Sequence, residues 1–139
     1  MTDEVAVVLD ASALRAYVHG EVAVGELIAE VAEERRLVAV PAACLAAAHV
    51  GVDEVGAALL VLLATAPTVR VLPLGGDGSS VAEEARQVGV LARAAAGDVA
   101  VGHAARVAIA CRAHYATAEP KVAAAVLPAG WSVLDVGAA

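Results

Sequence analysis

The chain has 139 residues, 60% of them hydrophobic, yet its only aromatics are Tyr17, Tyr115 and Trp131. Apolar content this high with 18% charge excludes a disordered polypeptide, and the scarcity of aromatics excludes base recognition by rows of stacking rings. The net charge of −7, nine basic against sixteen acidic residues, counts against nucleic-acid binding by bulk attraction, so any such role needs local cations or bound metal.

In chain order, Val5 to Leu9 is a β-branched run closing on Asp10 and predicts a strand buried on both faces. A helix over Ala11 to Val18 follows, and a second over Glu21 to Arg36, whose apolar residues Val24, Leu27, Ile28 and Val31 keep helical spacing. Leu37 to Val40 predicts a strand ending at Pro41. Helices over Ala42 to Val50 and Asp53 to Ala64 come next, the latter stopped by Pro67. Thr68 to Leu72 is the third strand, and Gly75 to Gly78 a turn. Ser80 and Glu83 have capping-box spacing for a helix reaching about Ala95. Gly97-Asp98 interrupts, a helix spans Val99 to His114, and Tyr115 to Thr117 is the fourth strand. Lys121 to Val126 is a short helix and Trp131 to Val136 the last strand, with Trp131 in the core.

Strands alternating with helices predict one α/β domain over residues 1–139, a three-layer α/β/α fold around a mainly parallel sheet. Its ligands belong beyond the carboxyl ends of the strands. No uncharged stretch reaches the roughly 18–20 residues of a membrane span. Asp3 and Glu4 stand where a secretory signal would be basic, and Cys44 and Cys111 have no metal-like spacing. A cytoplasmic protein with two reduced thiols is expected.

Asp10, Asp98 and Glu119 each adjoin a predicted strand or head the helix feeding one. Converging carboxylates take up protons or bind a cation, and oxygen ligands alone favour Mg²⁺ or Mn²⁺ over zinc. The plainer reading makes Asp10 and Asp98 helix-capping acids and Glu119 a surface residue. Arg106 and Arg112, with Arg93 before them, are candidate phosphate contacts, although solvated helix faces are the plainer reading of all three. His103 is either a cleft residue or a packed one. Gly75-Gly76-Asp77-Gly78 lacks the Lys-Ser/Thr ending of a phosphate loop and reads as a turn.

The segment Val7-Val8-Leu9-Asp10-Ala11-Ser12 resembles the opening of a PIN domain, where a hydrophobic strand delivers an Asp followed by a small residue and a hydroxyl. Gly97-Asp98-Val99-Ala100-Val101, with Thr117-Ala118-Glu119 after the next strand, resembles that family's second half. The resemblance extends over nearly the whole chain and is closest to the small VapC-type toxins of toxin–antitoxin pairs. It implies a Mg²⁺-dependent (or Mn²⁺-dependent) endoribonuclease, a homodimer restrained by a cognate antitoxin. Asp10, Asp98 and Glu119 match three catalytic, metal-binding acids, and Ser12 and Thr117 the supporting hydroxyls. The remaining acid, a Glu in the helix after the second strand, is replaced by Ala47. His49, about 200° further round that helix, does not substitute for it. Weakened activity is therefore expected. The alternative is a catalytically impaired PIN-like protein serving as an RNA-binding or protein-interaction module.

Overall fold

The computed structural model describes residues 4–137; residues 1–3, Asp3 among them, and 138–139 lie outside it. Five strands, β1 (Val5–Leu9), β2 (Leu37–Pro41), β3 (Val69–Leu72), β4 (His114–Thr117) and β5 (Val133–Asp135), form one sheet in the order β3-β2-β1-β4-β5. Every pairing is parallel. The connecting helices are α1 (Ala11–Val18), α2 (Ala23–Glu33), α3 (Ala42–His49), α4 (Glu54–Ala64), α5 (Val81–Ala92), α6 (Val99–Cys111) and α7 (Pro120–Val126). This is the expected three-layer α/β/α arrangement.

The strand order follows from the sequence patterns and the sheet's chemistry together. Val7, Val8, Leu9, Val38, Ala39 and Val40 are buried, so β1 and β2 tolerate neighbours on both edges and helices on both faces. β3 and β5 have partly exposed residues and form the edges. After β3 the chain returns through α5 and α6 to place β4 on the other side of β1. The progression therefore reverses at β1, and the carboxyl ends of β1 and β4 flank the switch point where such sheets bind ligands.

The starts of α1, α4, α5 and α6 agree with the sequence because caps are local, whereas α2, which has no side-chain cap, begins at Ala23 rather than Glu21. Asp10, Asp53, Ser80 and Asp98 each accept from a backbone N–H in the first turn of α1, α4, α5 and α6. Only half of the expected capping box forms: Ser80 Oγ caps Glu83 N at 3.3 Å, while the Glu83 carboxylate pairs with Arg86 instead.

Helix ends differ. α2 stops at Glu33 rather than Arg36, and α6 at Cys111 rather than His114. In both, a non-glycine residue turns left-handed, Arg35 at φ 58° and Arg112 at φ 52°. The next amide then reaches back five residues, Arg36 N to Val31 O and Ala113 N to Ala108 O. His114 is released to begin β4. α5 gives way at Ala92 to a single 3-10 turn, Arg93–Ala95. Trp131 lies before β5, half-buried, with Nε1 donating to Ala113 O at 2.9 Å. Among the described residues no single helix is long and apolar enough to cross a membrane.

Candidate functional site

Asp10 leaves β1 already committed to α1. Its Oδ1 accepts from Ala13 N at 2.9 Å and from the Ser12 hydroxyl at 2.7 Å, and the side chain is buried. Ser12 has one proton, and Asp10 takes it. The 2.9 Å contact between Ser12 Oγ and Thr117 Oγ1 therefore has Thr117 as donor. Ser12 also accepts from Ala118 N at 2.8 Å, and Thr117 Oγ1 accepts from Glu119 N at 2.9 Å. The result is a one-way chain from the Glu119 amide through Thr117 and Ser12 to the Asp10 carboxylate. It ties the exit of β4 to the exit of β1 across the switch point.

Because Ser12 fills both lone pairs with buried donors, its loss leaves them unpaired. Ser12→Ala should cost about 1–3 kcal/mol in a urea titration. A loss within about 0.5 kcal/mol of zero, ordinary for a surface change, would show that the chain contributes nothing to stability.

Asp98 is exposed at the head of α6, its Oδ1 accepting from Val101 N at 3.2 Å. Two buried groups lie within the fields of both Asp10 and Asp98. Burial first, and then these carboxylates, push the Cys44 thiol far above its ordinary pKa. The Tyr115 phenol is pushed up in the same way, by burial first and then chiefly by Asp10. Among the described residues Tyr115 Oη has no partner at hydrogen-bond geometry, while Cys44 Sγ donates to Ala100 O at 3.1 Å. Both groups stay protonated at neutral pH and supply no nucleophile. Ala47 follows Cys44 by three residues in α3, half-buried, its carbonyl accepting from Arg15 Nη2 at 3.5 Å.

Glu119 is exposed and lines a cleft of about 480 Å³ with Ser12, Arg15, His19 and Asp135. Arg15 and His19 were not singled out from the sequence. The signal was present: Ser12, Arg15 and His19 form a polar i, i+3, i+7 stripe on an otherwise apolar stretch.

The three acids thus share the carboxyl edge of the sheet without closing into a cage. Among the described residues no group of three or more His, Cys, Asp or Glu side chains is arranged to hold a metal ion. The physical reason is that Asp10 and Asp98 each cap a helix while Glu119 faces the cleft beside Arg15. The donor set nonetheless suits Mg²⁺, which is commonly held by one or two carboxylates, waters and substrate phosphate.

The arginines are placed elsewhere. Arg106 is spent on α5 and the turn before it: Nε donates to Gln87 Oε1, Nη2 lies 3.3 Å from Asp77 Oδ2, and Nε 4.0 Å from Glu84 Oε2. Arg112 ends α6, about 20 Å along the helix from Asp98 and at the opposite edge of the sheet. Neither reaches the acids as a phosphate contact from these positions. Asp77 belongs to a turn, as expected; the Ser79 hydroxyl and amide, and then Arg106, hold its carboxyl below the usual range.

No protein-family model matches the chain, and no curated protein matches it in sequence.

Proposed function

We propose that the chain is a PIN-like, VapC-type endoribonuclease dependent on Mg²⁺ or Mn²⁺, its activity weakened by Ala47. The observation that carries this reading is the hydroxyl chain from the Glu119 amide to Asp10, with Asp98 heading α6 beside the same buried Cys44 and Tyr115. It draws together residues 105 positions apart in the sequence and orients one carboxylate at the switch point.

Asp10 and Asp98 would hold the ion, with water where a further carboxylate is missing. The bound ion supplies an activated water and stabilises charge developing on a phosphodiester. Ser12 and Ala13 both bind Asp10 Oδ1, so Oδ2 is the oxygen that would meet an ion. Arg15 and His19 offer hydrogen-bond donors for a phosphate in the cleft, but Glu21, Glu119 and Asp135 line it too, so RNA would need the bound cation to offset their charge.

A second reading, a catalytically impaired PIN-like module binding RNA or protein, is favoured by Ala47 and by the absence of a closed three-acid group. Metal and RNA separate the two. Under the nuclease reading, Mn²⁺ raises Tm and supports slow cleavage of single-stranded RNA, and Asp98→Asn loses both. A shift in Tm without cleavage favours the impaired module, and neither response overturns the metal site altogether.

The proposed partners are RNA, a cognate antitoxin and a second copy of the chain, in the cytoplasm. α4 supports the last: Val55, Val61 and Leu62 stand exposed on one of the most apolar helices. Light scattering should give twice the chain mass, and Leu62→Glu the single mass. A monomer at every concentration removes the dimer.

A further inference from the structure

Val8 and Tyr115 face each other across the β1–β4 pairing, and Asp10 and Thr117 each follow by two residues. Side chains alternate along a strand, so Asp10, Tyr115 and Thr117 stand on one side of the sheet. The Asp10 amide donates to Ala116 O at 3.2 Å, which carries the pairing past the end of β1. Two residues of strand rise about 6.6 Å, a distance that a tyrosine side chain covers. Tyr115 Oη accordingly lies beside the candidate acids. Asp10 and Asp98 both act on it, Asp10 partly as a hydrogen-bond acceptor within range.

Nothing in the packing accounts for that hydroxyl. Tyr115 is fully buried, Oη is closed off from solvent, and among the described residues it has no partner at hydrogen-bond geometry. An unpaired buried donor is costly, and phenylalanine would fill the same space without it. Asp10 has room for the missing bond. An ionised carboxylate offers about four lone pairs. Oδ1 gives two of them, to Ser12 Oγ and Ala13 N. Oδ2 retains two, enough for one cation and one further donor.

We propose that Tyr115 is a positioning residue for Asp10: its O–H, which no ion or substrate touches, donates to the Asp10 carboxylate when Asp10 and Asp98 hold a divalent cation. Without the cation the contact falls short of a hydrogen bond. With it the bond is made, and the cost of the unpaired donor is recovered as affinity for the ion. Groups that orient a metal ligand from behind typically alter metal affinity by roughly 10–100-fold. This role rests on the metal-binding part of the nuclease reading and not on cleavage.

Tyr115→Phe removes only Oη. On the full chain its Tm without metal should equal or exceed that of the unmodified protein, because an unpaired donor is lost. A Mn²⁺ titration, with the free ion read by electron paramagnetic resonance, should show affinity weakened about ten-fold, the value of one net hydrogen bond. Val8→Ala leaves a cavity on the same side of the sheet; it should lower Tm and leave Mn²⁺ affinity as it was. Unchanged Mn²⁺ affinity in Tyr115→Phe overturns the role, as does a lower Tm without metal, which shows Oη already paired. So does equal weakening in Val8→Ala, because affinity then follows stability. If the unmodified protein binds no Mn²⁺, the role and the metal site fall together. Weakened binding in Tyr115→Phe with no cleavage of RNA by either protein keeps the role and removes the nuclease.

Discussion

Ala47→Glu is expected to raise metal-dependent cleavage of single-stranded RNA by on the order of ten-fold or more, the scale on which supporting groups alter metal sites. Ala47 lies one turn beyond Cys44, whose thiol feels both Asp10 and Asp98, so a carboxylate there joins the same acidic region. Two marks of opposite sign should accompany the gain. Without metal, a further negative charge beside Asp10 and Asp98 lowers Tm by repulsion. With Mn²⁺, the stabilisation by metal grows, because ligand number and site charge both increase. Adding Asp98→Asn to the Ala47→Glu protein should return cleavage to background. Vigorous metal-dependent cleavage by the unmodified protein, unaltered by Ala47→Glu, would show that this position takes no part in the chemistry.

Gly102→Ala is expected to destabilise the fold, although helix propensity by itself favours alanine by roughly 0.5–1 kcal/mol. The structure reverses that sign. A Cβ at Gly102 would press on Val88 O, closer than real Cβ atoms sit, and lie 3.0 Å from Ala92 Cβ and 3.2 Å from Ala92 N. Two of these are backbone atoms of α5, which no side-chain rotation relieves. Overpacking of this kind costs about 1–3 kcal/mol and outweighs the propensity gain. Tm should fall by several degrees. Gly89→Ala, on the same helix pair but facing open space, should instead stabilise by about 0.5–1 kcal/mol. Urea titrations of the two variants decide the matter. If both stabilise, α5 and α6 are not in the contact described.

Features within a few residues of one another were legible in the sequence. The buried runs of β1 and β2, the caps at Asp10, Ser80 and Asp98, and the strand–helix alternation all follow from side-chain chemistry at short range. Alternation in turn implies a parallel sheet with ligands at its carboxyl edge, because parallel strands need covered crossovers. The ends of α2 and α6 were not legible, since Arg35 and Arg112 adopt a conformation usually signalled by glycine.

At the candidate site, residue type marked Asp10, Ser12, Thr117 and Glu119, but nothing local shows that Ser12 and Thr117 touch across the sheet. The sequence by itself determined the alternating α/β pattern and the acidic residues at strand ends, and it places Ala47 where the proposed PIN-like reading expects a carboxylate. Tertiary structure alone decided what each polar group had left to offer. Arg106 is consumed by Asp77 and Glu84, Asp10 is half spent on α1, and His103 keeps one donor unpaired. A hydrogen bond or ion pair depends on which distant segments packing brings within about 3 Å, and a side chain's identity does not encode its partner.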